Sequence, residues 1–186
     1  MGAGHIHKED FRNALVSLEV PYRNEYMGKC LVVHLLDKYG HETGGIMMAS
    51  REEEEIKEEV KALCEKYKPQ KVLEVGFGMG FTATQFQECG VEKHVIVEAN
   101  AQMARDAHAW RKNYPHKDIE IAEEFLQDYV YDEKDYDLIY DDRYDLLQRN
   151  KDLRAALHSQ GFVRRESGGT FPCWKVIRDR TKKVET

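Results

Sequence analysis

Apolar positions recur along this chain at two spacings, and the switches between them divide it into elements. Phe11, Leu15 and Leu18 share one helical face behind Glu9 and Asp10, which predicts a short amphipathic helix ending at Pro21. Lys29 to Leu36 is a compact apolar run, a strand or a short helix, closed by a turn over Asp37 to Gly40. Gly44 and Gly45 then lead into Ile46-Met47-Met48-Ala49-Ser50. From Ser50 the spacing is helical, with Ile56, Val60 and Leu63 on one face and Pro69 closing the segment. Ser50 and Glu53 have the spacing of a capping box, and Glu52 to Glu55 suit the positive end of the helix dipole.

Beyond Pro69 strands and helices alternate. Val72–Val75 reads as a strand, Phe81–Glu88 as a helix, His94–Val97 as a strand and Ala101–Asn113 as a helix. Ile119–Ile121 and Tyr136–Tyr140 continue the strand series, separated by a short turn over Phe125–Tyr129. Leu146, Leu153 and Leu157 mark a helix over Leu146–Ser159, and Phe162–Arg165 and Trp174–Arg178 form a terminal strand pair around Gly168 and Gly169. This order predicts an α/β fold, a Rossmann-like doubly wound and mostly parallel sheet with a terminal antiparallel strand. Residues 1–49 form an N-terminal extension and 50–186 the domain proper.

Composition narrows the chemistry. The chain has 186 residues, one domain's length, and 41% of them are apolar, enough for a core. A net charge of −6 argues against an extended nucleic-acid surface, and the local basic cluster Arg149 to Arg165 reads as a solvated face. The four cysteines are widely spaced, which fits a reducing, cytoplasmic setting, and no zinc-ligand spacing occurs, so no metal is expected. No apolar run approaches a membrane span and no signal-peptide core is present, so neither membrane nor nucleic acid is an expected partner.

The sharpest local signal is Gly76-Phe77-Gly78-Met79-Gly80, which follows a strand and opens a helix. Glycines there let the backbone turn tightly and bring its N–H groups up to a ligand. The spacing fails the dinucleotide pattern, since Phe81 and Thr82 stand where a third glycine would fall. Glu74, two residues earlier, suits an ammonium better than a pyrophosphate, which favours the cationic methionine end of S-adenosylmethionine. Glu98 ends the next strand, placed for a pair of ribose hydroxyls, and Asn100 can cap the helix after it. Glu123-Glu124-Phe125 follows the third strand, where a carboxylate and an aromatic face suit an adenine or simply form a surface turn. The fourth strand ends in Tyr140-Asp141-Asp142-Arg143-Tyr144, either a salt-bridged loop or a set of groups that binds a cationic substrate and takes its proton.

Taken together, these residues resemble the guanidinoacetate N-methyltransferase group and its relatives that methylate an internal guanidino nitrogen of arginine. Val72 to Met79 is similar to that group's first motif, including Phe77 and Met79 inside the loop. Val95-Ile96-Val97-Glu98-Ala99-Asn100 is similar to the second, Asp137 to Asp141 to the fourth-strand motif, and Gly45 to Ala49 to the segment before the first helix. The resemblance spans Gly45 to Tyr144. It implies S-adenosylmethionine as cofactor and S-adenosylhomocysteine as product. It also implies that Phe77, Gly78, Met79, Gly80, Phe81, Glu98, Ala99, Asn100, Glu124, Phe125 and Asp141 contact the cofactor or face its methyl, beside Glu74 and Gly76. Asp141 would also grip the guanidinium, helped by an upstream Glu.

Two departures bear on the acceptor. Arg51 occupies the aligned position of that upstream Glu, with Glu52 next to it. If Glu52 takes the role, Asp141 and Glu52 form the catalytic pair; if Arg51 faces the acceptor, a carboxylate-bearing substrate is favoured instead. The turn before a fifth strand is replaced by Leu157-His158-Ser159-Gln160-Gly161, which implies a shortened C-terminal part. The expected activity is therefore N-methylation of a guanidino or amino group on a small molecule or an arginine side chain, with residues before Ser50 acting as a lid that keeps water from the sulfonium. Oxygen or carboxyl methylation of a small metabolite, and a non-catalytic cofactor-binding or partner-binding module, are the alternatives. A homodimer is compatible with either.

Overall fold

The computed structural model describes residues 53–126, 128–142, 158–162 and 173–182, and the backbone alone of 22–27, 30–36, 42–49 and 163–164. The helix expected over Phe11–Leu18, most of that over Leu146–Ser159, and Arg51, Glu52, Arg143 and Tyr144 lie outside the described residues.

Three strands come first among the described residues: β1 (Tyr22–Met27), β2 (Cys30–Leu36) and β3 (Glu42–Ala49). They pair as an antiparallel meander, β1–β2–β3, with a register shift between Leu35 and Leu36. Of the apolar run, Cys30–Leu36 is thus a strand, and Gly44 and Gly45 lie within β3 rather than ahead of an element.

Next comes α1 (Glu53–Tyr67), whose Ile56, Val60 and Leu63 are buried, while Glu53, Glu54 and Glu55 occupy its first turn. Lys68, at φ 51°, and Pro69 end it. There follow β4 (Lys71–Val75), α2 (Phe81–Glu88), β5 (Lys93–Val97), α3 (Ala101–Arg111), β6 (Asp118–Ala122), β7 (Leu138–Asp141), β8 (Val163–Arg164) and β9 (Cys173–Val176). The second sheet runs β6-β5-β4-β7-β9-β8. β6, β5, β4 and β7 are mutually parallel, and β9 is antiparallel to both β7 and β8. The antiparallel strand is last in sequence, as expected, but sits inside the sheet rather than at its edge.

Strand alternation sends side chains to opposite faces. Val72, Leu138 and Tyr140 meet Ile56, Val60 and Leu63 of α1 and Phe86 of α2, while Ile96 and Ile119 meet Ala83 of α2 and Ala107 of α3. Leu73, Val95, Val97 and Ile139 face the other way, against Ala122, Tyr136 and Phe162. At the amino end of the sheet, buried Asp137 ties three segments together. Its carboxylate accepts the N–H groups of Gln70 and Lys71 at 2.9 and 3.0 Å, Arg180 Nε at 2.6 Å and an Arg178 guanidinium nitrogen at 3.2 Å. That clamp holds the C-terminal segment to the start of β4 and leaves the opposite edge of the sheet for loops.

Candidate functional site at the carboxyl edge of the sheet

The sheet's strand order reverses at β4: β5 and β6 lie to one side, and β7, later in sequence, lies to the other. Loops leaving the carboxyl ends of β4 and β7 therefore diverge and leave a crevice, the place where open α/β sheets bind ligands. Val75 and Asp141 are register partners at those two ends, and Asp142 N–H donates to the Val75 carbonyl at 3.0 Å. Asp141 is thereby placed beside the residue that precedes Gly76. It is almost wholly buried, at 1% exposure.

The glycine loop is held open by its own backbone. Gly76, Gly78 and Gly80 all have positive φ, at 88°, 54° and 77°, which other residues adopt only at a cost. Gly76 N–H donates to Val97 O, and Gly80 N–H to Phe77 O at 2.8 Å, so the turn is fastened at both ends. A Cβ on Gly80 would lie 2.7 Å from Phe77 Cζ. Phe77 is buried and meets the Trp110 ring edge-on at 5.6 Å; Trp110 in turn donates through Nε1 to Thr84 Oγ1 at 3.0 Å. The aromatic inside the loop is therefore a packing anchor between α2 and α3. Met79 and Phe81 are half-buried along the rest of the turn.

Glu98 organises this edge. Its Oε2 accepts Phe77 N–H at 2.8 Å and its Oε1 accepts Asn100 N–H at 2.7 Å. Burial pushes the Glu98 carboxyl above the ordinary range, and these N–H donors, with those of Gly78 and Ala99, pull against it. Asn100 caps α3 as its position suggested, accepting the N–H groups of Gln102 and Met103. Ala99 is exposed on the rim. Beyond β6, exposed Glu123 bridges to His108 of α3 at 2.8 Å; Glu124 is exposed, and half-buried Phe125 starts a turn by accepting the N–H groups of Asp128 and Tyr129.

Glu74 differs from its simplest sequence reading. Its Oε2 is bound to His94 Nε2 at 2.8 Å, inside the sheet, while its Oε1 is buried without a hydrogen-bond partner. The sequence reading missed His94 and, behind it, Gln87. The available signal was a histidine amid the apolar residues of a strand neighbouring Glu74. Thus Gly76 to Phe81, Glu98 to Asn100 and Asp141 come together at one edge, with Glu124 and Phe125 at the end of the adjoining β6.

Among solved structures the chain is similar to the ribosomal protein L11 methylase of Lactobacillus delbrueckii subsp. bulgaricus. Identity is 14%, over 75% of this chain and 81% of that one, with a TM-score of 0.49. An SAH-bound methyltransferase of Podospora anserina is similar at 10% identity, over 95% of this chain and 99% of that one, with a TM-score of 0.45. The sequence itself carries the stronger finding. Residues 46–167, about two thirds of the chain, match the family model of guanidinoacetate N-methyltransferase, and the match contains the glycine loop, Glu98 and Asp141. The chain belongs to the guanidinoacetate N-methyltransferase family.

Proposed function

We propose that this chain is an S-adenosylmethionine-dependent N-methyltransferase acting on a guanidino or amino group of a small molecule or of an arginine side chain. The observation that carries this reading is the pairing, at the strand-order switch, of a Glu98-bound glycine loop with the buried carboxylate of Asp141. The residues present fit the cofactor. Glu98 stands at the end of β5 beside the glycine loop and is assigned to the ribose hydroxyls, Glu74 Oε1 is a buried acceptor without a donor, and Gly76 and Gly78 turn the backbone at positive φ. Glu124 and Phe125 are assigned to the adenine. When bound, the cofactor supplies an electrophilic methyl on a sulfonium.

Asp141 orients a planar guanidinium through paired N–H···O contacts and takes the proton that the nitrogen sheds as it becomes nucleophilic. Glu52 is assigned as the second carboxylate of that grip. Methyl-labelled S-adenosylmethionine, offered with guanidino compounds, arginine peptides, amines and hydroxy acids, tests the assignment. Label in guanidino or amino nitrogen supports it. Label confined to oxygen or carboxyl acceptors would favour Arg51 over Glu52 at the acceptor, and no transfer to any class would contradict an enzymatic role.

A further inference from the structure

Behind the glycine loop three polar side chains run in series through the packed face of the sheet. Gln87 Nε2 lies 3.0 Å from His94 Nδ1, and His94 Nε2 lies 2.8 Å from Glu74 Oε2. His94 and Glu74 are fully buried and Gln87 nearly so. With Nδ1 accepting from the Gln87 amide, the imidazole carries its one proton on Nε2 and is neutral. Glu74 accordingly receives one neutral N–H on Oε2 and nothing on Oε1.

The other groups near Glu74 do not favour its charge. Tyr140 is its register partner in β7, and Glu98 is close enough for like-charge repulsion to act between the two carboxyls. Among the described residues no lysine or arginine is ion-paired with Glu74. Burial first, and Glu98 second, hold the Glu74 carboxyl well above the ordinary carboxylate range, while burial pushes His94 down to about 3. Full burial, a single neutral donor on Oε2 and no paired cation among the described residues thus all favour the uncharged form of Glu74 beside a neutral His94.

We propose that Gln87 and His94 hold Glu74 as a neutral acid that gives up its proton to solvent when the cofactor's ammonium seats on Oε1. The carboxyl O–H bond breaks, the proton passes to the buffer, and the ammonium N–H donates to the new carboxylate; no electrons change hands. His94 is a positioning residue, since it fixes Oε2 and leaves Oε1 for the ligand. The inference rests on the cofactor reading above and adds that binding of the ammonium is linked to proton release.

Calorimetric titration of the full chain with S-adenosylhomocysteine at about pH 7, in buffers of different ionisation enthalpy, counts the protons. Release of about one proton per site is expected with S-adenosylhomocysteine. None is expected with 5′-methylthioadenosine, which shares the nucleoside and sulfur but lacks the ammonium. Glu74→Gln should remove the release while leaving methylthioadenosine affinity unchanged. His94→Asn should weaken S-adenosylhomocysteine about tenfold, a difference methylthioadenosine does not show. Binding of S-adenosylhomocysteine without proton release, or equal release with both ligands, overturns the proposal and leaves the cofactor reading standing. Failure of both ligands to bind contradicts the cofactor reading and takes this inference with it. Should either variant fail to fold, the wild-type proton count decides.

Discussion

Glu98 accepts the backbone N–H of Phe77 at 2.8 Å, so a carboxylate at the end of one strand fixes a loop residue 21 positions earlier. With its other oxygen on Asn100 N–H, it joins the glycine loop to the start of α3. Glu98→Gln sets an amide NH₂ against one of those N–H donors. A charge-assisted bond of this kind contributes about 1.5–3 kcal/mol. The variant should therefore bind S-adenosylhomocysteine roughly 10- to 100-fold more weakly by calorimetry. Unchanged affinity would show that Glu98 serves neither loop nor ribose.

Gly80 and Gly90 separate two effects of glycine. Both have positive φ, 77° and 85°, but a Cβ on Gly80 would reach within 2.7 Å of Phe77 Cζ, whereas one on Gly90 would meet nothing within 4 Å. Gly90→Ala should cost about 1 kcal/mol, from backbone strain alone. Gly80→Ala should cost about 2 kcal/mol more, because Phe77 is packed on Trp110 and has little room to yield. Urea denaturation of the two variants measures the difference, and equal losses would contradict the packing role of Phe77.

Asp137 predicts a pH-dependent loss of stability. Burial alone would raise its carboxyl, but the bonds from Arg180 and from Gln70 and Lys71 N–H outweigh burial and hold it below its ordinary 3.8. A group depressed in the folded state stabilises the fold above its unfolded pKa, and that contribution fades as pH falls through the folded value. Asp137→Asn should thus cost about 3 kcal/mol at neutral pH, since it leaves Arg180 facing a neutral amide. The gap between variant and wild type should narrow below about pH 4. A gap independent of pH would contradict the assignment.

Asp141→Asn keeps shape and removes charge. Methyl transfer to a guanidino acceptor should fall at least 100-fold, the order of a general-base contribution, while affinity for S-adenosylhomocysteine changes less than threefold. Comparable turnover by the variant would remove Asp141 from the proposed chemistry.

Much of the domain was legible because its apolar spacing has few readings. Val72 to Val75 before three closely spaced glycines is a strand feeding a turn, and Phe81–Glu88 forms the helix its pattern predicts. Asn100 showed itself as a cap by position alone. Pairings between distant segments were not legible. Nothing in either strand states that Glu74 and His94 will share a sheet face, because that depends on the β4–β5 register. The Asp137–Arg180 bond depends likewise on β9 inserting beside β7 and bringing the chain back to the start of β4. Of the candidate site, the glycine loop, Glu98 and Asp141 could be named in advance from motif and strand ends. The locking of Glu74 by His94 and the anchoring of Phe77 on Trp110 could not, since both are tertiary contacts.

On the proposed function, the carboxyl edge between β4 and β7 binds the methyl donor, and a crystal structure with S-adenosylhomocysteine decides whether it does. Ribose hydroxyls within hydrogen-bonding distance of Glu98, the amino-acid end over Gly76 to Gly80, and the sulfur turned toward Asp141 are the expected result. Ligand density at another edge of the sheet, or none at saturating ligand, would contradict it.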